Sequence, residues 1–354
     1  MRAASLLVRF ADPAATGLVA DAAKHPVAVS DVPEPGPGAL PGTRGRMYVP
    51  ADVPADELRK VPGVVVVHGV HYKGIDEPRL ERFARTIAAT GVAVLTPEVR
   101  ELCDYRIEPA SIDTIGAATK ALSARLGGKA VGVMGLSFAG GLSLIAATTP
   151  RWAPSIAFVV AVGAHDDLGR VLRFFTTNRA PRPDGTVEEL HAHDYGTAVL
   201  VYSHVEDFFA PADVDVAREA LRDVLHEDFD GAKARAAALS PAGAAKMKHV
   251  FDHDVASMAA ELDAEIAHLE PGFAAVSPSA HLAAIRVPVF FLHGAGDSVI
   301  PASETEWLAH DTPRGMLRAA LVSPAIEHVE LEGQPSLGDQ LALVHFMGDV
   351  LDAL

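Results

Sequence analysis

Three residues far apart in the chain, Ser137, Asp297 and His328, have the types and the local settings that nucleophilic catalysis requires. Ser137 stands in Lys129-Ala-Val-Gly-Val-Met-Gly-Leu-Ser-Phe-Ala-Gly-Gly141, where an apolar strand-like run stops at Gly135 and a helix-like run starts just after the serine. A sharp strand-to-helix turn holds a serine hydroxyl clear of the sheet, and it needs small neighbours because backbone and helix pass close together. Gly135, Ala139, Gly140 and Gly141 supply them, with Ala139 in the place a strict Gly-x-Ser-x-Gly would give to glycine. A hydroxyl is a weak nucleophile until a base removes its proton, so the serine needs a histidine, and the histidine needs a carboxylate to fix its tautomer. Asp297 and His328 are the candidates for those two tasks. The duller alternatives are a turn aspartate at 297 and a surface histidine at 328, with His345 of the terminal helical stretch as a rival base.

The elements that must carry these residues alternate along the chain. Val64–Val67 is a β-branched strand-like run, Pro78–Ala89 helical, Val92–Leu95 strand, Ser111–Leu126 helix, Ala130–Met134 strand, Phe138–Ala147 helix and Ile156–Val162 strand. Strands apolar on both faces, separated by helices, predict a mostly parallel sheet covered on both sides. The alternation resumes with Val287–Leu292, Glu304–His310, Arg318–Val322 and Leu337–Leu351. Asp297 therefore falls just past the carboxyl end of one strand and His328 past the end of the next, the edge where such sheets build their sites. Acid and histidine are 31 residues apart, the length that one helix, one strand and their loops occupy.

Between these stretches, 164–285 holds alanine-rich helical segments (Val214–Leu225, Gly231–Ala238, Val255–Leu269) and one candidate strand, Ala198–Tyr202. So long an insertion, in place of a short crossover, reads as a helical cap. Residues 1–44 read as an irregular entry with Pro33, Pro35, Pro37 and Pro41 clustered, followed by a short edge-strand pattern at Gly45–Val49. The domain expectation is thus 1–44 irregular, 45–163 and 286–354 core, 164–285 cap.

The order serine, acid, histidine, together with His68-Gly69 after the first strong strand, Gly-Leu-Ser-Phe-Ala-Gly and His293-Gly-Ala-Gly-Asp-Ser-Val-Ile-Pro301, resembles the α/β-hydrolase superfamily over residues 45–163 and 286–354. The resemblance implies Ser137 as nucleophile, His328 as general base and acid, and Asp297 as its orienting group. It implies an oxyanion site of peptide N–H groups from Phe138 and from Val70 or His71, and His68 packed beneath that loop. It implies hydrolysis of a carboxylic ester or thioester through an acyl-serine intermediate, with no cofactor. Peptidase, amidase and carbon–carbon hydrolase chemistry remain alternatives on the same fold, as does a non-catalytic binding protein. Tyr72 and Tyr105, in loops at the active edge, and Phe174 and Phe208, in the cap, are candidate substrate contacts.

A net charge of −16 over 354 residues argues against nucleic acid or an anionic membrane as partner and leaves a small, apolar acyl substrate as the expectation; the oligomeric state is not legible. No apolar run approaches the roughly 18 residues of a membrane span, and Arg9 and Asp12 interrupt the N-terminal apolar stretch, so the expected location is cytoplasmic. The single cysteine, Cys103, suits a reducing compartment and reads as a structural thiol. Among 16 histidines, His191-Ala-His193-Asp194 and His249-x-x-x-His253 have ligand-like spacing, but neither has a completing ligand, so no metal is expected.

Overall fold

A computed structural model describes residues 1–32, 40, 42–327, 330–331 and 336–354. The chain divides into two compact units, Met1–Asp166 with Ala275–Leu354, and Asp167–Ala274.

The first unit begins with α1 (Arg2–Ala11), β1 (Val27–Val32), β2 (Gly45–Pro50), β3 (Gly63–Val67), α2 (Pro78–Ala88), β4 (Ala93–Pro97), the one-turn α3 (Arg100–Cys103), α4 (Pro109–Arg125), β5 (Val131–Leu136), α5 (Phe138–Thr148) and β6 (Ile156–Val162). The second unit holds α6 (Leu168–Thr177), a hairpin of β7 (Arg179–Pro181) and β8 (Val187–Glu189), α7 (Tyr195–Ser203), α8 (Val205–Phe208), α9 (Val214–Leu225), α10 (Phe229–Ala236), α11 (Pro241–Phe251) and α12 (Val255–Phe273). The first unit is then completed by β9 (Val289–Gly294), α13 (Ser303–Asp311), β10 (Leu317–Ser323), the short pair β11 (Ile326–Glu327) and β12 (Glu330–Leu331), and α14 (Leu337–Asp352).

Eight strands form one sheet in the order β1-β2-β4-β3-β5-β6-β9-β10. β2 runs antiparallel to β1 and β4, and every pairing from β4 to β10 is parallel. Burial follows position in the sheet. Every residue of β3, β4 and β9 is buried, because both faces of a central strand are covered, whereas β1 and β10 are largely half-buried and exposed residues in turn, as edge strands are. The core collects Val64, Val66, Met134, Phe158, Phe290 and Phe346 on one side of this sheet. On the other, α5 is buried from Phe138 through Ala147, which explains why its sequence carries no polar face.

Three expectations change. The N-terminal stretch is not irregular throughout: α1 packs against α2 and α14, and β1 adds a strand. Alternation in Val-Ala-Val-Ser-Asp-Val marks that strand, although the proline cluster beside it, which lies outside the described residues, dominates the composition. β2 is consequently an interior strand and not an edge, since β1 covers it. Ala198–Tyr202 lies within helix α7. A five-residue apolar run has no period of its own, and here the flanking residues extend it into a helix buried on Ala198, Leu200, Val201 and Tyr202. Among the described residues no helix is long and apolar enough to cross a membrane.

Candidate active site

Ser137 occupies the single residue between β5 and α5, with φ 56° and ψ −136°. That backbone region is strained for any residue with a side chain, and it persists only where the surroundings impose it. They do so here: the Ser137 N–H donates to the Val162 carbonyl of β6 at 2.7 Å, and the Ser137 carbonyl accepts from Gly140 N–H at 2.8 Å. Gly135 makes the corner passable. A Cβ at 135 would stand 2.4 Å from the Ala139 carbonyl oxygen, so a glycine is needed there. The contact at position 139 is made by backbone, which is why alanine serves where a glycine was the stricter expectation.

Two groups of peptide N–H surround the serine. Phe138 is the first residue of α5, so its amide has no carbonyl within the helix to bond and adds to the partial positive charge of the helix N-terminus. The loop after β3 comes up to the serine from the other side: a Cβ on Gly69 would lie 3.1 Å from Ser137 Cβ and 3.8 Å from its Oγ. Of the two candidate donors there, His71 directs its peptide N–H to the Leu102 carbonyl at 3.2 Å, and its ring Nδ1 accepts from Lys73 N–H.

His68 is a buried structural histidine. Its Nδ1–H donates to the Gly69 carbonyl at 2.7 Å and its Nε2 accepts the Val99 N–H at 3.0 Å, so the neutral ring ties the β3 loop to the end of β4. Burial lowers its pKa, with the Gly69 bond acting in the opposite sense. An unfolded imidazole takes a proton near pH 6.5 and the folded one only at lower pH. Below that value the unfolded state therefore binds more protons, and acid removes stability by up to roughly 1.4 kcal/mol per pH unit from this group. Urea unfolding at pH 7.5 and 5.5 should show a smaller loss for His68→Gln than for the wild type. Cys103 lies 3.8 Å from the same ring. Burial pushes its thiol up to about 12, which leaves it protonated and unreactive. Native protein at pH 8 should react with a disulfide-exchange reagent at least tenfold more slowly than unfolded protein.

Asp297 is fully buried in the loop that follows β9. Its Oδ1 accepts the peptide N–H groups of Val299 at 2.9 Å and Ile300 at 3.0 Å, and its Oδ2 lies 3.4 Å from His293 Nε2. His293 braces this loop, with Nε2–H donating to the Ile300 carbonyl at 2.8 Å and Nδ1 accepting from Thr305 Oγ1 at 2.6 Å. Sequence reasoning missed that role, though the i,i+4 spacing of His293 and Asp297 was its signal. β5 and β9 are separated by β6 alone, so Ser137 and Asp297 rise from strands about 10 Å apart at the same edge of a parallel sheet. An imidazole hydrogen-bonded at both nitrogens fits such a gap.

His328 lies outside the described residues; β11 ends at Glu327, after the β10 strand that pairs with β9. The rival His345 is 84% exposed on α14 and faces Asp349 at 3.7 Å. Tyr72 stacks on His71, with centroids 4.7 Å apart, and Tyr105 is buried at φ 59°; both lie beyond the carboxyl ends of β3 and β4. Phe174 and Phe208 are buried within the second unit, on α6 and α8. A cavity of about 170 Å³ bordered by Lys60, Gly63, Lys129, Val131 and Leu354 lies at the amino ends of β3 and β5, the far end of the sheet from the serine.

A serine held at positive φ between a central parallel strand and a buried helix, with a buried carboxylate two strands along the same edge, decides the architecture. The chain has the α/β-hydrolase fold. Similar solved structures include a lipase candidate from Acinetobacter baumannii AYE, at 10% identity, TM-score 0.49 and 92% coverage of either chain. A dienelactone hydrolase from Anabaena variabilis is similar at 13% identity and TM-score 0.46, over 92% of this chain and 95% of that one. A serine hydrolase from the polyaromatic hydrocarbon-degrading bacterium Cycloclasticus zankles is similar at 11% identity and TM-score 0.43, over 93% and 97%. No family model matches the chain, and no curated protein matches its sequence.

Proposed function

We propose that the protein is a serine hydrolase that cleaves a carboxylic ester or thioester through an acyl-serine intermediate. The observation that carries this reading is the strained Ser137 at the β5–α5 corner, against Gly69 on one side and the α5 N-terminus on the other. Such strain costs on the order of 1–3 kcal/mol and is retained where it serves a site.

In this reading Ser137 Oγ attacks the acyl carbon while His328 accepts its proton, and Asp297 holds the imidazole and stabilises its charge. The carbonyl oxygen becomes an oxyanion and takes hydrogen bonds from Phe138 N–H and from a peptide N–H of the loop after β3, at Val70 or His71. Collapse of the intermediate expels the alcohol or thiol with the proton from His328. Water, activated by the same imidazole, then releases the acid and restores the serine.

A fluorophosphonate reagent tests the reading without knowledge of the substrate. Stoichiometric labelling at Ser137, with hydrolysis of p-nitrophenyl esters somewhere between acetate and decanoate, is the expected result. A serine that does not label, in protein that hydrolyses no ester of the series, would overturn it in favour of a binding role.

A further inference from the structure

The second unit brings together three side chains that no sequence spacing singled out. His204 sits at the junction of α7 and α8, Asp207 follows it in α8, and Glu265 projects from the middle of α12. One ligand atom from each lies within 4.8 Å of the other two. We propose that His204, Asp207 and Glu265 bind one divalent transition-metal ion, of the Zn²⁺ type, that clamps the α7–α8 junction to α12.

Glu265 carries a buried oxygen, Oε1, that lacks a hydrogen-bond donor among the described residues. Its side chain is only 7% exposed. That oxygen points to His204 Nδ1 at 3.4 Å. Two ligand atoms each about 2.0–2.1 Å from a tetrahedral zinc stand roughly 3.3–3.4 Å apart, so this pair already has the spacing of two corners of such a site. A buried carboxylate oxygen without a donor costs on the order of 1–3 kcal/mol, and a cation is what would offset it.

No lysine or arginine among the described residues fills that role. Arg218 pairs with Glu206 and Lys246 with Glu261, and neither reaches Glu265 or Asp207. Asp207 is exposed, so its side chain can swing in from solvent and water can complete the coordination. One imidazole with two carboxylates favours a first-row transition ion over Mg²⁺ or Ca²⁺, which prefer oxygen alone. The His249 and His253 pair, which has ligand-like spacing, is engaged elsewhere: His249 with Asp254 at 3.0 Å, and His253 with Asp194 at 3.6 Å.

The test is a competition titration of the chelator-stripped full-length protein with Zn²⁺ and a chromophoric chelator, with thermal unfolding beside it. One equivalent should bind the wild type and raise its Tm. Affinity should fall at least thirtyfold in Glu265→Gln and in Asp207→Asn, and stay within threefold in a His249→Gln/His253→Gln control. Asp207→Asn lies at the surface and keeps the test decisive if Glu265→Gln fails to fold. Absence of a bound equivalent, binding unchanged in Asp207→Asn, or binding lost in the control would overturn the proposal.

Discussion

Ser137→Ala should lower kcat/KM for the best p-nitrophenyl ester by about 10⁴-fold or more, because in the proposed mechanism serine, histidine and acid act as a unit and the loss of any one forfeits the chemical path. The size of the effect separates it from disturbance of the fold. Alanine loses only the hydroxyl, and the backbone bonds of residue 137 to Val162 and Gly140 do not involve it. The unfolding temperature should stay within about 1 °C, a shift worth under about 1 kcal/mol at this chain length. Peptide donors at Phe138 and on the β3 loop survive the change, so a rate above that of uncatalysed hydrolysis should remain. Full activity in the variant would remove the serine from the chemistry and with it the acyl-enzyme.

The second large effect concerns Asp297. The Asp297→Asn variant would keep an oxygen for the Val299 and Ile300 N–H groups, so the loop should stay folded, yet it would present an amide where the imidazole needs a carboxylate. A histidine left in the wrong tautomer, without a charge to stabilise its protonated form, costs about 10⁴-fold in kcat. Asp297→Ala should match that loss and also destabilise the chain by about 1–3 kcal/mol, since the buried Ile300 N–H and the half-buried Val299 N–H lose their acceptor. Measuring kcat and urea unfolding for both variants distinguishes an orienting acid from a turn residue. A turn residue would show the stability loss in the alanine variant and near-normal kcat in the asparagine one.

The parts of this architecture that were legible in the sequence are those in which local pattern and tertiary environment coincide. Val64–Val67 and Val287–Leu292 are strand-like runs whose sheet residues are buried on both faces, as a central parallel strand requires. The Ser137 corner was legible because it compresses strand end, nucleophile and helix start into a few small residues. β1 was not, because this antiparallel edge strand exposes the consecutive Ser30 and Asp31, the composition of a loop. Ala198–Tyr202 misled for the opposite reason, as apolar and β-branched residues also fill a buried helix. The sequence pointed to His249 and His253 by their spacing, whereas the cluster at His204 depends on Glu265, about sixty residues away, which only folding brings near.

The placement of the second unit between β6 and β9 bears on how the site comes into being. These two strands are hydrogen-bonded neighbours, yet 126 residues of mostly helical, locally connected chain separate them in the order of synthesis. Local helical contacts form fast, whereas the β6–β9 pairing must wait for the distant strand. A nascent chain therefore displays its serine corner, with β3, β5 and β6 in place, well before the strand that leads to Asp297 has been made. Throughout that interval it carries an exposed sheet edge and a serine without the acid proposed for it, so the proposed activity would be among the last properties the growing polypeptide acquires.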